Sequence, residues 1–292
     1  MAKSNVNISV VIPSYNSEKT ISSCLQSILD QKTNLKYEVI LVDSSSDSTP
    51  RLVKENFPEV ILVHFNKRTP RGKALNVGIK RAKGDVVVCI DSDCIVANRD
   101  WINNTFKAHK KYDIVGARIG NGNPKSIFGW GIFLLEFCEW IGNRDKEMKM
   151  LLGFDIAYKK KIFEKYGLFS DDSSLNEDLI FHSRIKEPLF FSSNIFVKHI
   201  NRTNFFKIIN YCFKLGRGGG LARKQFPDML GSFFVRRPIF IPLLPFARLA
   251  HSGLRSLQAG YFLIFLLTSP LIFINSVSYS LGFLTSVLTN QS

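Results

Sequence analysis

The chain has 292 residues, 45% of them hydrophobic and 22% charged, with a formal charge of +15 and a pI near 9.6. That length buries a full core, and the cation excess calls for an anionic partner: nucleic acid, anionic lipid or a phosphorylated substrate. No helix-turn-helix, RNP-type or zinc-finger pattern supports nucleic acid, and five scattered cysteines without a CxxC pair exclude a disulfide framework and fit reduced thiols in the cytosol.

Residues 1–7 are short and polar and run straight into an apolar segment, so no signal peptide is expected ahead of the domain. Four apolar, β-branched runs follow, at 8–12, 38–42, 60–65 and 85–90, each of strand length and most of them apolar enough for burial on both faces. Helical spacing separates them. Ile21, Cys24, Leu25, Ile28 and Leu29 recur after Ser17 as the expected cap, and Leu52, Val53 and Phe57 follow a polar turn with Pro50 at the helix start. Alternating strands and helices predict an α/β fold with a mainly parallel sheet, whose ligands sit beyond the carboxyl ends of the strands. Those ends are polar: Pro13-Ser14-Tyr15-Asn16 after the first run, Asp43-Ser44-Ser45 after the second and Asp91-Ser92-Asp93 after the fourth.

From 101 to 187 the pattern is irregular, with helical spacing at 128–141 and a turn-rich stretch at 170–176, and α+β elaboration of the same domain is expected. Between Pro188 and Pro227 there is no acid but seven Lys and Arg, and Phe205, Ile208, Ile209, Cys212 and Phe213 share one helical face; a basic amphipathic helix of this kind suits a membrane interface. Residues 238–250 are apolar, interrupted by Pro242 and Pro245 and flanked by arginines, as for an interfacial segment. Residues 258–288 carry no charge and are long enough to cross a bilayer. Pro270 leaves a kinked span and a tight hairpin both open. The expected organisation is a catalytic domain at 1–225, a basic interfacial segment at 226–257 and membrane-associated helices at 258–292.

Carboxylates at i and i+2 after a buried strand raise each other's pKa unless a cation joins them. Asp91 and Asp93 therefore read as ligands for Mn²⁺ or Mg²⁺ that also meets phosphate oxygens, against a plain capped turn as the other reading.

In order, these strings resemble the family 2, GT-A-fold inverting glycosyltransferases over about 8–220. Ser9 to Asn16 resembles the opening strand, Val42-Asp43 through Thr49 the second-strand motif, Arg71 to Ile79 the following basic helix start, and Asp91-Ser92-Asp93 the Asp-x-Asp metal motif. Gly153-Phe154-Asp155 through Lys160 is similar to the acceptor-side segment, and Asn176-Glu177-Asp178-Leu179 to the Glu-Asp motif. The resemblance implies that Pro13, Tyr15, Asp43, Arg71 and Ser92 serve the nucleotide and that Asp91 and Asp93 hold the metal and diphosphate. It further implies that Gly153, Asp155 and Glu177 support the acceptor and that Asp178 is the catalytic base, which takes the acceptor hydroxyl's proton as its oxygen attacks the anomeric carbon; the other reading of Glu177-Asp178 is a helix N-terminus whose dipole favours acids.

His199 has a family counterpart that sometimes contacts metal or phosphate, a structural histidine being the other reading. Arg217, between Gly216 and Gly218-Gly219-Gly220, reads either as a diphosphate clamp on a mobile loop or as part of a flexible linker. Many members carry a second acid where Ser44 stands here. That departure leaves the base open, with uridine the first expectation, and keeps alive a membrane-tethered binding module without catalysis. The expected protein is thus a cytoplasm-facing transferase at the cell membrane. Its partners are a nucleotide-diphospho-sugar donor, a lipid-linked or saccharide acceptor and the membrane, with no role for nucleic acid.

Overall fold

The computed structural model describes residues 6–171 and 176–289, which form two compact units. Unit one comprises residues up to 120 and 143–199; unit two comprises 121–142 and 200 onward, so the expected breaks at 225 and 257 both fall inside unit two.

The strands in chain order are β1 (Ile8–Ser14), β2 (Tyr37–Asp43), β3 (Ile61–His64), β4 (Val86–Ile90), β5 (Cys94–Val96), β6 (Ile114–Asn121), β7 (Lys146–Met148), β8 (Asp155–Lys159) and β9 (Leu189–His199). Among the described residues they form one sheet in the order β3-β2-β1-β4-β8-β6-β9-β5, with β7 beside β9. The first four strands pair in parallel, joined by α1 (Ile21–Leu29), α2 (Thr49–Asn56) and α3 (Arg71–Arg81). Every residue of β1 and β4 is buried, as their unbroken apolar runs require. Beyond β4 the expectation of a mainly parallel sheet gives way to a mixed one. β8 meets β4 and β6 antiparallel, and β9 meets β5 and β7 antiparallel.

Two features of this sheet place side chains. β1 ends level with Asp43, and β3 sets His64 directly opposite Asp43. β4 ends at Ile90, opposite Asp155, and releases Asp91 and Asp93 into the turn before β5. The helix after β1 begins at Thr20–Ile21, one turn later than the expected cap; Ser17 serves it by its carbonyl, which accepts from the Thr20 and Ile21 amides. Helices α4 (Trp101–Ala108), α6 (Lys161–Tyr166) and α7 (Glu177–His182) complete this unit.

Unit two is helical: α5 (Ile127–Phe137), α8 (Phe205–Gln225), α9 (Phe233–Arg236), a 3-10 helix (Pro238–Leu243), α10 (Leu244–Gln258) and α11 (Phe262–Leu288). The glycine run expected as a loop or linker lies inside α8. Close helix packing is the reason: a Cβ on Gly216 would overlap the Tyr279 carbonyl of α11, and one on Gly282 would overlap the Phe213 carbonyl of α8. Gly216→Ala, which in an exposed helix gains about 1 kcal/mol from propensity, is therefore expected to lower the melting midpoint of the detergent-solubilised protein, since overlap with a backbone carbonyl costs about 1–3 kcal/mol.

Helix α11 runs unbroken through Pro270, so no hairpin forms. Proline removes the amide that would bond Leu266, and the Ser269 hydroxyl donates to that carbonyl instead at 2.9 Å.

Candidate active site

Arg71 organises the acids of unit one. It opens α3 after Pro70, whose extended conformation (φ −55°, ψ 145°) ends the preceding loop. Its Nε and Nη2 donate to Asp91 Oδ1 at 2.9 and 2.6 Å, its Nη1 donates to Glu177 Oε1, and its Nη2 also donates to the Gly153 carbonyl. One guanidinium thus joins the end of β4, the loop before β8 and the start of α7. Gly153 fits because a Cβ there would lie 3.0 Å from Arg71 Nη1 and 3.2 Å from Asp178 Oδ2. Asp178 accepts from the Gly153 amide through Oδ2 and from the Leu179 amide through Oδ1, both at 2.8 Å.

The electrostatics follow. Burial pushes Asp178 above the usual carboxylate range against the pull of Arg71 and of these two amides. Burial also raises Glu177, helped by Asp178, and raises Asp91, helped by Asp93. Asp155 is 2% exposed, accepts from Trp101 Nε1 at 2.8 Å, and is pushed up to about 7 by burial. It stands behind Asp91 as a buried, hydrogen-bonded group.

Asp93 pairs with the end of β9. Its Oδ1 lies 3.3 Å from Nε2 of His199, the last residue of β9, and with Cys94 Sγ these donors fall within 4.8 Å of one another. The register that sets Cys94 opposite His199 brings them together. Carboxylates suit Mn²⁺ or Mg²⁺ and an imidazole suits the transition ion of the two, so the Asp93 and His199 donors, with Asp91 two residues before, fit a divalent cation. Cys94 adds little to such a site, because burial pushes its thiol well up and its Sγ faces the Phe154 carbonyl.

On the β1–β2 side Pro13 is buried and Tyr15 is 44% exposed, with the Arg68 guanidinium 4.7 Å above its ring. Ser92 meets Ser17 hydroxyl to hydroxyl at 2.8 Å. Asp43 is fully buried and committed within the protein. It accepts from the Ser45 amide and hydroxyl and lies 2.8 Å from His64 Nδ1, while Ser44 accepts from the Thr69 amide. Arg217 belongs to unit two, in the middle of α8.

Two neighbours of the site were not legible in the sequence, whereas Asn76 belongs to the helix-start motif quoted above. His64 and Arg68 carry no motif, although a histidine closing a strand beside an acid-ended strand is a usable signal. Asn76 holds the 169–171 segment by bonds to Phe169 and Asp171, and it sits one helical turn beyond Arg71 on α3. Of the turn-rich stretch expected at 170–176, residues 172–175 lie outside the described residues.

Around the half-buried Arg71 the chain thus gathers acids from distant segments, with the Asp93–His199 pair nearby. The chain belongs to glycosyl transferase family 2, whose model matches residues 9–167.

Poly-beta-1,6-N-acetyl-D-glucosamine synthase of Staphylococcus aureus is 35% identical over 187 residues, covering 59% of this chain and 44% of that protein. Poly(ribitol-phosphate) beta-glucosyltransferase of Bacillus spizizenii is 35% identical over 137 residues, 42% of this chain and 21% of that protein. The chain thus spans less than half the length of the curated relatives it matches. Among solved structures, the mannosyltransferase PcManGT of Pyrobaculum calidifontis, in complex with GDP-Man and Mn²⁺, superposes with a TM-score of 0.63 at 19% identity, covering 98% of this chain and 88% of that one. TarS 1-349 of S. aureus with UDP-GlcNAc gives 0.55 at 17%, covering 96% and 90%. At such identities these structures show the GT-A fold.

Proposed function

We propose that this chain is a metal-dependent, inverting glycosyltransferase that moves a sugar from a UDP-sugar to a membrane-associated acceptor in polysaccharide or glycolipid assembly. The observation that carries the reading is the Arg71 cluster, in which acids from two distant chain segments converge on one guanidinium beside the Asp93–His199 pair. The UDP-sugar and the polysaccharide are supported by UDP-GlcNAc in the TarS structure and by the names of the curated relatives.

Asp178 is the proposed base. The Gly153 and Leu179 amides fix its carboxylate, and its raised pKa brings its basicity toward that needed to accept a hydroxyl proton near neutral pH. Glu177, buried against Arg71, keeps α7 in place and supports the acceptor side together with Gly153 and, from behind, Asp155. Asp93 and His199, with the free edge of Asp91, would hold Mn²⁺ or Mg²⁺. When bound, that ion supplies positive charge to a departing nucleoside diphosphate. Pro13, Tyr15 and Ser92 are proposed to line the nucleotide site, Tyr15 offering an exposed ring against which a base can stack. Asp43 is proposed to shape that site from below by fixing the Ser45 turn. Arg217, expected on a mobile loop or linker, lies within helix α8 of unit two and is given no part in this site.

Nucleoside diphosphate release from a UDP-sugar should stop on chelation with EDTA and return with Mn²⁺ or Mg²⁺. Asp93→Ala and His199→Ala should each weaken the metal activation constant by more than the roughly 10–100-fold that loss of an outer-shell partner costs. Turnover that persists at full rate in EDTA defeats the metal assignment. A binding module without catalysis would instead show calorimetric nucleotide binding and no release with any donor.

A further inference from the structure

Helix α11 is polar inside and apolar outside. Thr268, Asn275, Ser276, Ser278, Ser280 and Ser286 are buried, whereas Leu263, Leu267, Ile274, Leu281 and Leu288 face outward along one stripe. A helix in the core of a water-soluble protein has the opposite polarity. The inversion is shared by the rest of unit two. Of the large hydrophobic side chains exposed on the described residues, all but Tyr15 and Ile61 belong to this unit. They include Leu230, Phe233, Ile239, Leu243, Phe246 and Leu257 in and around α9, the 3-10 helix and α10. Hydrocarbon is the surrounding such a surface fits.

Helix α11 is also the one described helix long and apolar enough to cross a bilayer, with a mean hydropathy of 1.8 in its most apolar stretch. Its partner argues against a crossing. The contacts between α8 and α11 advance in the same direction along both helices. Ser278 Oγ donates to the Ile209 carbonyl at 2.8 Å, Gly282 abuts Phe213, Gly220 abuts Phe283 and Ser286, and Lys224 Nζ donates to the Thr289 carbonyl at 3.1 Å. The two helices therefore lie side by side and parallel, locked by glycine contacts too close to slide. Helix α8 carries Lys207, Lys214 and Arg217 on its exposed face. Were α11 to span the membrane, these cations would enter hydrocarbon with it, which is strongly disfavoured for each.

We propose that unit two binds the membrane in plane, as a monotopic element: the α11 stripe and the apolar segment 230–257 enter one leaflet, and the basic face of α8 stays at its anionic headgroups. Charge supports this occupant. From 200 to 258 the chain has ten Lys and Arg against one acid, Asp228, which suits headgroups such as phosphatidylglycerol. This deepens the membrane-acceptor reading of the proposed function but is tested without turnover, so either can fail alone.

The full chain is tagged before Met1 and after Ser292 and expressed in bacterial membranes, and protease access to each tag is read in right-side-out and inverted vesicles. Both tags should be cleaved in the same vesicle orientation; cleavage in opposite orientations overturns the proposal.

Independently, purified protein should float with vesicles of equal phosphatidylglycerol and phosphatidylcholine. Leu267→Glu and Leu281→Glu should each reduce flotation by about tenfold or more, and Lys207→Glu combined with Lys214→Glu should do so only on the anionic vesicles. Unchanged flotation of the leucine variants refutes insertion, and equal binding of the native chain to pure phosphatidylcholine refutes the headgroup role. Helical circular dichroism and a cooperative thermal melt of each variant confirm that the fold is intact. A variant that does not fold leaves the tag experiment to decide.

Discussion

Asp178→Asn is expected to lower turnover by about 10²–10⁴-fold, the usual contribution of a general base, with nucleotide-sugar affinity little changed. Asparagine keeps an oxygen for the Gly153 or Leu179 amide, so the local structure should survive while the proton acceptor is lost. The native enzyme supplies a second readout through pH. A base works only when ionised, and burial raises Asp178, so activity should fall on acidification through a pKa above the ordinary aspartate value of 3.8. Pre-steady-state release of nucleoside diphosphate from about pH 3 to about pH 9 reads both effects. Retained turnover in Asp178→Asn, or an acid limb at or below 3.8, removes the residue from the role.

Arg71→Met should be the most damaging single change to unit one. It leaves Asp91, Glu177 and Asp178 close together with no cation among them, a situation that costs about 3–5 kcal/mol. The sign with pH is fixed. Without Arg71 the acids rise further, the folded state then holds protons that the unfolded chain releases, and the deficit grows as pH increases from about 4 toward 8. Thermal melts of the variant and the native chain should therefore converge at low pH and diverge above neutrality. Arg71→Lys should rescue only in part, since an ammonium cannot address Asp91, Glu177 and the Gly153 carbonyl with one rigid fork. A deficit independent of pH contradicts the ionic account.

The parallel half of the fold was readable because β1, β2 and β4 are buried continuously, and such burial writes itself as unbroken Val and Ile. The acids at their ends were readable for the same reason, as each stands just past an apolar run. The return half was not. β5 and β7 are three residues long, and β9 begins immediately after Pro188, so its strands are defined by long-range pairing that no local period announces. The glycines of α8 were misread because glycine is a poor helix former in isolation; here tertiary packing outweighs propensity, and the partner that makes glycine necessary lies more than sixty residues later in α11. Arg71 was placed near the nucleotide by resemblance, but its grip on Glu177, 106 residues away, follows only from the folded chain.

That grip makes the proposed donor side and the proposed acceptor side a single electrical circuit. Asp91 and Glu177 draw on the same guanidinium, so whatever competes for Asp91, whether an incoming ion or a diphosphate oxygen, also alters the tension on the first turn of α7 and on the Asp178 that follows Glu177. A donor arriving at one end of the site would be felt at the other through one side chain, with no backbone rearrangement required to carry the message.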